Sequence, residues 1–166
     1  MTMTPLGLRT SRKRDAHAPA SGLYERDFFL WTEEQAALLR AQVGGSIGLD
    51  AANLAEEIES LGRSQKNELR SRLLVVLLHL LKWRFQPGGR SSGWRGTLVE
   101  QRRRIAQALD ESPSLRAFPA TAFEAEYDTA RVKAADETML PDRVFPTQCP
   151  FTIEQVLDPD FYPEAD

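Results

Sequence analysis

Residues 73–83, LLVVLLHLLKW, put eight aliphatic side chains and one histidine in an unbroken run. It is far shorter than the roughly 18 residues needed to cross a bilayer, so it has to be covered by other parts of the same protein. The surrounding stretch, 51–85, holds no proline and a single glycine, Gly62. Within it Leu54, Ile58 and Leu61 form one stripe at helical spacing, and Leu69, Leu73, Val76, Leu80 and Trp83 form another. The polar segment 62–68, GRSQKNE, separates the two stripes. Either one helix spans the whole stretch or it breaks near Gly62. A glycine in a helix interior costs about 1 kcal/mol relative to alanine, which a packed bundle tolerates, so a continuous or merely bent helix is expected. Where that helix is apolar nearly all round, it belongs at the centre with neighbours on several sides.

The flanking sequence supplies those neighbours. Thr32 with Gln35 three residues on reads as a capping box that opens a helix ending near Val43, with Ala36, Leu39 and Val43 on one face. Gly44, Gly45 and Gly48 make a turn, and Asp50 caps the long helix. After the breaker QPGGRSS at 86–92, Ser92 is expected to cap a helix with Trp94, Leu98, Gln101, Ile105 and Ala108 on its inner face and the arginines at 102–104 on the other side. This short loop makes the two helices antiparallel neighbours, with Trp83 level with Trp94 and His79 level with Leu98 and Gln101. A turn at 113–117 precedes a fourth helix starting near Pro119, with Phe123, Tyr127, Ala130 and Ala134 facing inward, and ending before Pro141. The proline-punctuated remainder has one short turn capped by Thr152. It carries Phe145, Phe151, Phe161 and Tyr162, as a strap laid on the bundle would. The expected architecture is all-α: about four main helices, a long central one, and an irregular C-terminal strap over 141–163. Residues 1–22 read as a flexible arm, 23–163 as a single domain, and 164–166 as a tail.

Charge is segregated along the chain. Residues 63–109 carry eleven Lys or Arg against two acids, a net of +9, whereas 119–166 carry three against eleven, a net of −8. A basic middle beside an acidic end means a polyanion-binding face or two parts of one fold that attract each other. The basic start of the chain is followed by no apolar segment, so it is not a secretory signal, and a cytoplasmic protein with no membrane role is expected. The lone Cys149 allows neither an internal disulfide nor a cysteine-based zinc site within one chain.

No set of residues spells out a reaction. Zinc or iron needs three or four converging ligands, and the only histidine besides His79 is His17, in the expected arm. Glu56 and Glu59 in LAEEIES share a face, but His79 lies 20 residues beyond Glu59, about 30 Å along a continuous helix. Only a break at Gly62 or a second subunit would join them. A core histidine bonded to Gln101 is the plainer reading of His79, and a solvated face with a Glu59–Arg63 pair is the plainer reading of the acids. There is no phosphate-binding glycine loop, although the start of the third helix, with Arg90 and Arg95 beside it, could hold an anion as any helix start can. Arg70, Arg72, Arg90, Arg95, Arg102, Arg103 and Arg104 are the polyanion-binding candidates. The last three fan across about 200° of a helix, more than one surface can use. Trp83 and Trp94 could stack on bases, but their place at one helix hairpin favours packing on each other.

The blocks YERDFFLW at 24–31, NLAEEIESLGRS at 53–64, LLHLLKW at 77–83, SGWR at 92–95, QRRRI at 101–105, DESPSL at 110–115 and CPFTIEQVLDPDF at 149–161 occur in one order. Together they resemble the bacterial domain-of-unknown-function family number twenty-nine, over residue 23 to about 163. The resemblance implies an all-α bacterial cytoplasmic domain and implies no reaction. Pro119 departs from that pattern, in which the corresponding helix runs uninterrupted. His79, Lys82, Trp83, Trp94, Arg95, Gln101 and Arg102 fall in these blocks and meet at the hairpin, which makes them the candidate functional locus. The leading expectation is a non-enzymatic protein-interaction or self-association module with no cofactor and no metal, its partner a protein or a second copy. Nucleic-acid or polyanion binding through 70–104 is the alternative, and a metal-dependent helical-bundle enzyme using His79 comes third.

Overall fold

A computed structural model describes residues 22–42 and 48–165. Except for Gly22, the expected arm lies outside the described residues, as do Val43, Gly44 and Gly45 of the first turn. The elements are α1 (Leu23–Arg26), α2 (Phe28–Ala41), α3 (Ala51–Phe85), α4 (Ser92–Glu111), α5 (Phe118–Thr138) and α6 (Ile153–Leu157), with single 3-10 turns at 87–89, 113–115 and 142–144. The fold is an all-α bundle in which α2, α4 and α5 all pack on α3.

Helix α3 runs 35 residues without interruption, and Asp50 caps it by accepting from the Asn53 N–H at 3.2 Å. Gly62 does not break it because the glycine is where α2 comes closest. A Cβ there would lie 2.7 Å from Thr32 Oγ1 and 3.2 Å from the Phe29 ring. The start of α2 corrects the expected cap. Asp27, not Thr32, is the N-cap, accepting from the Leu30 N–H at 2.9 Å. Asp27 also accepts from the backbone and hydroxyl of Ser114, at 2.6 and 2.8 Å, so the turn after α4 selects where α2 begins. Thr32 is instead buried inside the helix, its hydroxyl donating to the Phe29 carbonyl.

The second half of α3 is the core. Leu69, Leu73, Val76, Leu77, Leu80 and Leu81 are at most 2 % exposed and are surrounded by Leu98 and Ile105 of α4, Ala130 and Ala134 of α5, and Phe145, Phe151 and Val156 of the strap. Helix α4 starts one residue earlier than its expected cap implies: Ser91 accepts from the Trp94 N–H, and Ser92 is the first helical residue. Helix α5 has Pro119 in its first turn, where a missing N–H breaks no helical bond. It ends at Met139 in the left-handed region, ahead of Pro141. Thr152 and Gln155 form the capping box of α6.

The first half of α3 departs from expectation. Leu54 and Leu61 are 40 % and 47 % exposed, and the buried positions facing α2 are Ala55 and Gly62. On α2 the buried residues are Thr32 and Ala36. The α2–α3 seam is therefore made largely of small side chains that let the backbones approach closely, with the Phe29 ring beside Gly62 and Leu54 and Leu61 outside it.

Candidate functional site

The α3–α4 hairpin brings most of the expected locus together, in two groups. Toward α5, Lys82 is buried with its Nζ 2.7 Å from Glu137 Oε2 and 4.6 Å from the Trp94 ring centroid. A desolvated ammonium is tolerable there because a carboxylate and an aromatic face both compensate it. His79 lies in this group but does not meet Gln101. Its Nδ1 donates to the Val75 carbonyl one turn back, at 2.8 Å. Burial lowers the His79 pKa, the Val75 hydrogen bond opposes that, Lys82 adds to it and Glu137 opposes it. The ring is therefore neutral at physiological pH, with Nε2 as its free lone pair. Gln101 accepts instead from Arg72 Nη1 at 3.1 Å.

Toward the strap, Arg102 is 4 % exposed, which corrects its placement on the solvent side of α4. Its guanidinium spreads over backbone carbonyls of Val156 at 2.8 Å, Phe161 at 3.0 Å, and Gln155 and Pro159 at 3.4 Å. Only arginine offers a rigid fork wide enough to reach so many acceptors. Tyr162 lies against it, with Arg95 and Arg102 5.9 and 5.7 Å from the ring centroid. Trp83 packs on Tyr162 at 5.1 Å, and Arg90 lies 5.2 Å from the Trp83 ring while donating to the Trp83 carbonyl. The two tryptophans thus take separate partners, a lysine and a tyrosine, rather than each other. Glu137 and Tyr162 complete the two groups, and sequence spacing could not link them to α3. These contacts tie α3, α4, α5 and the strap together at one end of the bundle.

Four further arginines of the basic segment meet acids within the fold. Arg72 bonds Glu68 at 2.6 Å, Arg103 and Arg104 share Glu100 at 3.1 and 2.7 Å, and Arg70 lies 3.9 Å from Glu126. Arg104 first, and then Arg103, hold the Glu100 carboxyl below its usual pKa. Arg63 reaches Glu59 at 3.6 Å as the spacing implies, and Arg40 joins both to Glu56 in a surface network.

Among the described residues no group of three or more His, Cys, Asp or Glu could hold a metal ion. Because α3 is continuous, Glu56 and Glu59 stay remote from His79 within one chain. Cys149 lines a cleft of about 460 Å³ with Phe123, Glu124, Tyr127 and Asp128. Burial pushes its thiol up to about 11, so it is protonated and a poor nucleophile at neutral pH. The Tyr127 hydroxyl, raised to about 12 chiefly by burial, is engaged with the Pro146 carbonyl. No described helix is long and apolar enough to cross a membrane.

What sequence reasoning missed lies on the α2–α3 hairpin. Leu54, Ile58 and Leu61 fall on one stripe of α3, and Trp31 and Leu38, seven residues apart, on one stripe of α2. The two helices run antiparallel: Thr32 faces Gly62, while Arg40 reaches Glu56 and Glu59 one to two turns earlier in α3. The ion pairs mark one edge of the seam, and both apolar stripes emerge on the other edge as one continuous face. Tyr24, 52 % exposed, extends this face through its edge contact with Trp31 at 4.9 Å. The signal was available in Thr32, Ala36, Ala55 and Gly62, whose small side chains mark the inner seam at helical spacing.

Comparisons with known proteins give a family and add no activity. No curated protein and no solved structure matches the chain. A family model described as "Domain of unknown function DUF29" matches residues 23–162, which takes in every helix from α1 to α6. The chain therefore belongs to the DUF29 family.

Proposed function

We propose that this domain is a non-enzymatic protein-interaction module of the cytoplasm whose contact surface is the outer face of the α2–α3 hairpin. One observation carries the reading. Of the nine large apolar side chains exposed among the described residues, four (Tyr24, Leu38, Leu54 and Leu61) lie on this face, and two more, Leu30 and Leu49, lie elsewhere in residues 24–61. Scattered apolar residues on a surface need no explanation, but a concentration of them on one element marks a contact surface. The body of the bundle, by contrast, buries most of its leucines and meets Arg70, Arg72, Arg102, Arg103 and Arg104 with carboxylates or carbonyls. That internal pairing weighs against polyanion binding through 70–104, since Glu68, Glu100 and Glu126 already supply the counter-charge a phosphate would bring. The enclosed locus around His79 and Lys82 lacks the open, converging geometry that catalysis requires.

The test is photo-crosslinking in cells with the reactive residue placed at Leu61 or, as a control of similar exposure on the bundle body, at Val132. The reading expects discrete adducts from position 61 that excess unlabelled wild-type protein competes away and a Leu54→Lys/Leu61→Lys variant does not. Equal, non-competable labelling from both positions would contradict it.

A further inference from the structure

We infer that the occupant of this face is the same face of a second copy of the chain, two α2–α3 hairpins closing into a four-helix bundle; this rests on the interaction reading above. The first ground is architectural. Helices are stable in two packed layers around a shared core, and the hairpin is one layer only. Its inner seam of Thr32, Ala36, Ala55 and Gly62 fills the gap between α2 and α3, and Phe29 beside Gly62 is the large apolar side chain it takes in. The second ground is the pattern. Leu54, Ile58 and Leu61 on α3 repeat the four-three spacing of Trp31, Gln35 and Leu38 on α2. That spacing keeps one stripe facing a partner helix, and bundles use it for knobs-into-holes packing. An isologous two-fold contact needs one patch to complement itself, and a pair of matched antiparallel stripes does so when rotated by half a turn.

Area sets the expected strength. Fourteen residues of α2 give a face about 20 Å long, and two helices give a width of about 20 Å. Such a face offers about 400 Å² per copy and about 800 Å² for the pair, below the roughly 1,200 Å² in total at which stable pairs begin. A weak, reversible dimer with a dissociation constant on the order of tens of micromolar is therefore expected rather than a permanent one. Charge sets the sign of its salt dependence. Residues 22–62 hold eight acids against Arg26 and Arg40, a net of −6, and the exposed Glu34 and Glu57 carry no ion pair among the described contacts. Two like-charged hairpins repel, so added salt should tighten the dimer, whereas it would weaken binding to a polyanion.

Sedimentation velocity of the full chain from about 1 to 100 µM, at about 50 and 500 mM NaCl, tests this. The expected result is a monomer–dimer equilibrium that strengthens with salt. Leu54→Lys/Leu61→Lys should weaken it at least tenfold while the monomer keeps its circular dichroism spectrum. If that variant unfolds, Leu54→Gln/Leu61→Gln serves in its place. A wild-type chain that is monomeric at the highest concentration, or a dimer that survives both double substitutions, overturns the inference. Competable crosslinks from position 61 to a different protein, with a monomeric chain, would overturn it and leave the interaction reading standing. No competable crosslink and no dimer would remove both.

Discussion

Helix α3 is built to two opposite plans. In its second half the leucines point inward, and Leu73, Leu77 and Leu80 are at most 1 % exposed under α4, α5 and the strap. In its first half small residues point inward and leucines point out. The difference follows from the number of neighbours. Three elements surround the second half, so a helix that is apolar all round has somewhere to put every side. One helix covers the first half, so close approach through Ala55 and Gly62 takes one side and the leucines are left for something else. The same residue type thus reads as core in one half and as contact surface in the other.

The largest expected effect sharpens the picture of the body as a closed unit. Arg102→Met removes the fork that binds the strap and leaves up to four carbonyls without their donor, which should lower stability by about 3 kcal/mol in urea unfolding. Arg102→Lys should recover little of it, because a point ammonium cannot span those acceptors. A loss below about 1 kcal/mol would mean that the strap's aromatic rings hold it in place alone.

A smaller effect probes the seam. Gly62→Ala adds a Cβ 2.7 Å from Thr32 Oγ1, so the roughly 1 kcal/mol gain in helix propensity should be outweighed by overpacking of about 1–3 kcal/mol. Gly62→Ala paired with Thr32→Ala should relieve the clash. A stabilised single variant would show that the two helices are not in close contact.

The smallest effect comes from His79. Its folded pKa lies below the unfolded value of 6.5, so the unfolded chain binds the extra proton more readily. Its contribution to stability is fully present above 6.5 and is lost as pH falls through the folded value. His79→Gln should flatten the acid side of the stability–pH curve in this window, by under about 1 kcal/mol. An unchanged curve would contradict the burial of the neutral ring.

Much of the fold was legible in the sequence because its signals are local. The unbroken pattern over 51–85, the breakers at Pro87 and Pro113, Pro119 at the start of α5 and the Thr152 cap each act within a turn or two, and each holds in the structure. Where the sequence misled, tertiary contacts decided. The capping-box pattern at Thr32 lost to Asp27 because Ser114, from a turn distant in sequence, binds Asp27. Arg102 looked like one of three solvent arginines until the strap supplied carbonyls. Residues expected to meet at the hairpin fall into two groups there, and Glu137 and Tyr162, which divide them, come from α5 and the strap. Periodicity gave the stripe of Leu54, Ile58 and Leu61 but not its direction, since a helical stripe looks the same whether it faces the core or a partner.

The central claim is that this stripe adds little to the fold of a single chain. Urea unfolding at about 1 µM, below the expected dimerisation range, tests it most directly by comparing Leu54→Lys/Leu61→Lys with Leu77→Ala in the other half of the helix. The account predicts a change within about 0.5 kcal/mol for the lysine pair and a loss of about 2–5 kcal/mol for Leu77→Ala. A loss of comparable size from the lysine pair would place Leu54 and Leu61 in the core and contradict the account.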